Sequence, residues 1–201
     1  ELFSNGQIQE ALVNVEALIK DYPDEALLYN ISGACYATLE KLDDSVKRYE
    51  KSLAIKPDYA EAHNNLGNAF KELDQLDLAV KSFEKALTIK PDFADAHYNL
   101  AVTLQGLGQL DTAVKCYDQA LAIKPDYAEA FNSLGNALKE LGQLDTAVNS
   151  YEQLLAIKPD FAEANYNLAV TLQELGQLEA AVKSYKKAVA LKPDYADAYN
   201  N

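Results

Sequence analysis

An all-α solenoid of stacked helix-turn-helix units is the fold this sequence predicts, and three observations predict it. All six prolines, Pro23, Pro57, Pro91, Pro125, Pro159 and Pro193, fall on one 34-residue period. Between prolines, core-type residues recur twice at helical spacing: in 60–93 they are His63, Leu66, Gly67, Phe70 and Leu73, then Leu76, Ala79, Val80, Phe83, Ala86 and Leu87. Gly6, Gly108, Gly142 and Gly176 share one place between the two helical stretches. A period of this length marks units too small to bury an apolar face alone, so stacking supplies the core. Such folds offer a long concave surface rather than an enclosed pocket, which makes binding the expected class of function.

The elements follow in order. With the first position of a unit set at the Ala after Pro-Asp-aromatic, the complete units are 26–59, 60–93, 94–127, 128–161 and 162–195. Residues 1–25 form a partial repeat, 196–201 start a further one, and the whole of 1–201 reads as a single array. Asp77, Asp111 and Asp145 stand where an N-cap would accept a bond from the first free amides of the second helix. The glycines suit a turn that needs the left-handed conformation, a place held by Glu40 and Asp74 in two units. Each proline stops a second helix, and Lys56, Lys90, Lys124, Lys158 and Lys192 put positive charge at that helix's carboxyl end. Acids such as Asp58 and Glu61 suit the positive start of the helix that follows.

Charge narrows the partners. A formal charge of -13 and a pI near 4.5 argue against nucleic acid, whose phosphates are bound by clustered Lys and Arg. Cys35 and Cys116 lie far apart with no Cys/His ligand spacing, so both read as reduced, buried, small apolar residues and no metal is expected. No apolar run approaches the ~20 residues that span a bilayer, and no charged-then-apolar leader opens the chain. The expected setting is a soluble, reducing compartment, the cytoplasm. The chain opens on Glu1 rather than Met, so it reads as an excerpt or a processed chain.

The pattern aromatic-x-x-Leu-Gly-x-x-aromatic, then Ala-x-x-x-aromatic-x-x-Ala, then Pro is carried in 60–93 by His63, Leu66, Gly67, Phe70, Ala79, Phe83, Ala86 and Pro91. It resembles the tetratricopeptide repeat over essentially the whole chain. Departures are local: Asn165 replaces the first aromatic, Ser32 a Leu and Leu154 a small Ala. The resemblance implies a right-handed superhelix with first helices on the concave groove and second helices on the convex face. A longer period of 68 pairs 60–93 with 128–161 and 94–127 with 162–195, so the groove is expected to alternate in chemistry.

On the first helix the core is expected at the fourth, seventh, eighth and eleventh positions, leaving the second, fifth, sixth, ninth, twelfth and thirteenth away from it. The sixth reads Ile31, Asn65, Asn99, Ser133, Asn167 and Asn201. One carboxamide can pair with both the N–H and the C=O of an extended peptide, so a row of them holds main chain without choosing sequence. This row is similar to the asparagine ladder in the tetratricopeptide region of the O-linked N-acetylglucosamine transferases. The blander reading is Asn solvating a helix surface; Asn is a mediocre interior helix residue, and its recurrence favours binding.

Asn64 and Asn132 at the fifth position, Asn68 and Asn136 at the ninth, and Lys71 and Lys139 at the twelfth complete the candidate set in two units. Tyr98 and Tyr166 at the fifth position either stack on a partner or pack against a neighbouring unit. The family's carboxylate clamp is not expected, because Glu61, Asn64 and Asn65 occupy the places where it needs Lys or Arg. His63 and His97 read as replacements for a core aromatic rather than metal ligands. No catalytic set and no cofactor motif is present, so the chain is expected not to be an enzyme. The leading expectation is a peptide-binding scaffold. Two alternatives stand beside it: the substrate-recruiting region of a larger enzyme such as a glycosyltransferase, and a structural protein assembling head to tail through Ile8, Ala11, Leu12, Val15, Leu18 and Ile19 at one end and Val182, Tyr185, Ala188, Val189 and Ala196–Asn201 at the other.

Overall fold

The computed structural model describes residues 5–193, which carry eleven α-helices and no strand. They are α1 (Asn5–Asp21), α2 (Ala26–Thr38), α3 (Leu42–Ile55), α4 (Ala60–Glu72), α5 (Leu76–Ile89), α6 (Ala94–Gly106), α7 (Leu110–Ile123), α8 (Ala128–Glu140), α9 (Leu144–Ile157), α10 (Ala162–Glu174) and α11 (Leu178–Leu191). The even-numbered helices are the first helices of the repeats, and the odd-numbered ones the second. Asn201 and the segment 196–201 lie outside the described residues.

The turn inside each repeat is built from backbone. In 94–127 the N–H of Gly108 donates to Gln105 at 2.9 Å and that of Gln109 to Leu104 at 2.9 Å, the paired bonds of a Schellman motif. They require positive φ at one residue, which is 73° at Gly108, 72° at Gly142 and 75° at Gly176. Glu40 and Asp74 adopt it too, at 58° and 59°. Gly6 differs from expectation, for it lies in the first turn of α1. The carbonyls that would fix such a turn there belong to residues 2 and 3, outside the described residues.

The aspartates are not caps. Gln75, Gln109 and Gln143 occupy the N-cap with no side-chain capping bond, and Asp77, Asp111 and Asp145 are the second residues of α5, α7 and α9. The reason is the turn: the Gln75 carbonyl already accepts from the Ala79 N–H at 3.1 Å, so the helix begins one residue before the acid. The carboxylates then act on the dipole rather than on a free amide.

At the junctions the lysines cap the second helices as expected, and Lys56, Lys90 and Lys124 also lie over the rings of Tyr59, Phe93 and Tyr127 at 4.9, 4.8 and 4.1 Å.

The chain falls into two compact units, Glu1–Thr103 and Leu104–Asn201. In the first, α2 packs on α3 and α4 on α5; α4 also packs on α3 but only lightly on α2. In the second, α8 packs on α9 and α10 on α11, with α7 against α8 and α9 against α10. The core runs wider than the four expected positions. Ala62, Ala96, Ala130 and Ala164 at the third position are 0% exposed, and the tenth holds buried Ala69, Thr103, Ala137 and Thr171. Leu154, larger than its Ala counterparts, is absorbed against Ala128, Ala164 and Phe161. Cys35 is buried, whereas Cys116 is only half-buried, a correction to the expected pair; neither forms a disulfide.

Candidate binding groove

The first helices carry a stripe at i, i+4, i+7 and i+11. It reads Glu61-Asn65-Asn68-Glu72 on α4, Glu129-Ser133-Asn136-Glu140 on α8 and Glu163-Asn167-Val170-Glu174 on α10. The acids are exposed and the central residues half-buried, so amides form the floor and carboxylates the two rims. On α2 the corresponding residues are Leu27, Ile31, Ala34 and Thr38, which makes that stretch apolar.

The sixth-position amides are tied to the preceding repeat. In the first unit Asn65 Nδ2 donates to Asn30 Oδ1 at 3.1 Å, and Asn99 Nδ2 donates to Asn64 Oδ1 at 3.1 Å. The fifth position is therefore not turned away from packing: Asn30 and Asn64 are buried, because the next first helix closes over them. In the second unit the equivalent bond is not made. Asn167 Nδ2 instead donates to Asn136 Oδ1 at 3.4 Å, and the buried Oδ1 of Asn132 has no donor.

Second helices reach into the floor with tyrosine hydroxyls, a feature that sequence spacing alone does not reveal. Tyr151 donates to Asn136 Oδ1 at 2.7 Å, Tyr117 to Gln105 Oε1 at 2.9 Å and Tyr185 to Gln173 Oε1 at 2.8 Å. The eighth position decides which acceptor is used. A Cβ at Gly135 would stand 2.6 Å from Tyr151 Cε1, so Gly allows the ring to lie close and reach the ninth position. Where Ala101 or Ala169 stands instead, the hydroxyl meets Gln at the twelfth. The signal was present in the 68-residue period, which pairs Ala with Gln and Gly with Lys at those two positions. Burial pushes the Tyr151 phenol up, and the charges of Glu140, Glu174 and Glu163 push it further, so the floor lies in a negative field.

The remaining candidates are placed as follows. Lys71 and Lys139 are half-buried in the last turns of α4 and α8, where they complement the dipole. Tyr98 is half-buried; Tyr166 makes an edge-to-face contact with Tyr185 of its own repeat, with centroids 5.9 Å apart. His63 and His97 are half-buried, each with ring Nε2 at hydrogen-bond distance from a junction carbonyl, 3.0 Å from Pro57 O and 2.9 Å from Pro91 O. Glu61 and Glu129 are held by Lys90 at 3.3 Å and Lys158 at 2.6 Å. Among the described residues no three His, Cys, Asp or Glu side chains gather as metal ligands, and no helix is long and apolar enough to cross a membrane.

A helix pair repeated every 34 residues, with a Schellman turn inside and a Lys-Pro junction outside, defines a helical-repeat protein of the interaction type. The sequence profile of the TPR repeat matches residues 33–74, 67–108, 106–142, 135–176 and 172–201, and the chain belongs to that family, the tetratricopeptide repeats. No curated protein matches it. Among solved structures it is similar to YrrB, described as a TPR protein with an unusual peptide-binding site, with a TM-score of 0.80 and 25% identity over 92% of this chain and 96% of that one. It is similar to MamA at a TM-score of 0.77 and 26% identity, over 82% of this chain and 96% of that one. MamA from Desulfovibrio magneticus RS-1 shares the fold at a TM-score of 0.79 with 19% identity, over 86% and 97%.

Proposed function

We propose that this chain is a non-catalytic scaffold that holds an extended peptide along its first helices through the asparagine row. The observation that carries the reading is the hydrogen-bond capacity left at the sixth position. A carboxamide has two N–H groups and two lone pairs, and the bond from Asn65 to Asn30 uses one N–H. An oxygen and a second N–H remain to meet a peptide's N–H and C=O. The peptide-binding site named for YrrB supports the class of ligand. In this reading the compartment is reducing and cytoplasmic, in keeping with two cysteines that form no disulfide.

Titration against an array of unrelated twelve-residue peptides tests it. Replacing Asn65, Asn99 and Asn167 together with Ala is expected to weaken every bound peptide roughly ten-fold or more, at about 0.5–1.5 kcal/mol for each lost bond. The structure adds a cost: the variant also strands Asn30 and Asn64, so the melting temperature falls although helicity persists. Unchanged affinity sinks the asparagine row.

A further inference from the structure

The second unit's groove has an electrostatic character that the amide row leaves unused. Glu140, Glu163 and Glu174 stand exposed on its rims, and all three bear on the Tyr151 phenol, whose hydroxyl bonds Asn136 at the centre of the floor. Lys139 is the basic group on the α8 face, half-buried at the last turn, while Lys158 is held by Glu129. The amide pairing of this floor also differs from that of the first unit. The buried Asn132 oxygen lacks the donor that its counterpart Asn64 receives from Asn99, because Asn167 is turned to Asn136.

Resting on the peptide reading above, we propose that this groove selects a basic extended segment, one whose Lys or Arg side chains recur about every three residues and meet Glu140, Glu163 and Glu174. The spacing comes from two lengths. An extended chain advances about 3.3 Å per residue, and packed helices lie roughly 10 Å apart, so about three residues pass each repeat. With the backbone held by amides, side chains leave to alternate rims, and each rim is a carboxylate. Attraction from these surface acids, of which Glu140 also accepts from Gln105 Nε2 at 3.1 Å, draws such a segment in from solution and weakens as salt screens it.

Fluorescence anisotropy with three labelled twelve-residue probes, four copies of Ser-Thr-Lys, of Ser-Thr-Gln or of Ser-Thr-Glu, tests the proposal on the intact chain. The Lys probe is expected to bind about five-fold more tightly than the Gln probe, the sum of two exposed ion pairs, one at each of α8 and α10, with the Glu probe weakest. The combined variant Glu140→Gln, Glu163→Gln and Glu174→Gln is expected to lower the Lys probe to the Gln level and leave the Gln probe unchanged. Equal binding of the Lys and Gln probes, or a Lys preference that survives in the variant, overturns the charge selection. If all probes bind alike and the asparagine variant loses them, the amide row stands while the basic guest falls. If no probe binds, both fall.

Discussion

Asp74 holds a backbone angle that glycine adopts at no steric cost. Its φ of 59° lies close to the 72–75° of Gly108, Gly142 and Gly176, and its N–H donates to Lys71 at 3.0 Å in the same motif. Asp74→Gly is therefore expected to raise stability by up to ~1 kcal/mol, read as a higher melting temperature; a lower one means that the Asp74 side chain contributes more than the strain it causes. Ser52 is the opposite case. Its place is shared by Ala86, Ala120 and Ala188, yet its buried hydroxyl donates to the Ala26 carbonyl at 2.8 Å, so replacement by Ala removes a bond and brings no gain. Sequence spacing located Asp74, but it is silent on whether a hydroxyl such as that of Ser52 has found a partner.

At the level of a helix pair, the eighth and twelfth positions act together. Gly135→Ala drives a methyl to 2.6 Å from the Tyr151 ring, which must shift and give up Asn136, at a cost of about 1–3 kcal/mol. Adding Lys139→Gln supplies the acceptor that Tyr117 and Tyr185 use in their repeats, so the double variant is expected to regain part of the loss. A double-mutant cycle by urea unfolding checks it; simple additivity shows that the two positions are independent. The helices themselves were legible because periodicity and proline placement are local signals. Asp77, Asp111 and Asp145 misled because the turn's own backbone bonds set the helix start one residue before the acid, and residue preference carries no such register. The buried third-position alanines were missed because two neighbouring helices close on them, which no single-helix stripe reveals. In the groove, Asn65 and Asn99 were found by their recurrence, whereas their bonds to Asn30 and Asn64 depend on how repeats meet in space.

Across the whole molecule, each second helix from α3 onward presents a ring to its partner: Tyr49, Phe83, Tyr117, Tyr151 and Tyr185 are all buried. Burial pushes the Tyr49 phenol up to about 12 from 10.0, and Tyr151 shifts in the same direction. A phenol is neutral when protonated, so stability is whole below pH 10, and it drains above that as the unfolded chain ionises and the folded one does not. Circular dichroism between about pH 8 and 12 is expected to show alkaline unfolding, and Tyr49→Phe, which installs the ring found at Phe83, to move its midpoint upward. A midpoint that stays put removes Tyr49 as a cause. The repeats of the first unit are fastened unequally on their two sides. Toward the second helices, α4 meets α3 over a broad apolar contact; along the groove edge, it meets α2 lightly, fastened by polar contacts such as the hydrogen bond from Asn65 to Asn30. In mechanical terms that edge is the compliant one. A bulky guest of the kind proposed above is expected to widen the groove there at the expense of about one hydrogen bond per junction, net ~1 kcal/mol, with the apolar side as the spine on which the repeats would open like pages.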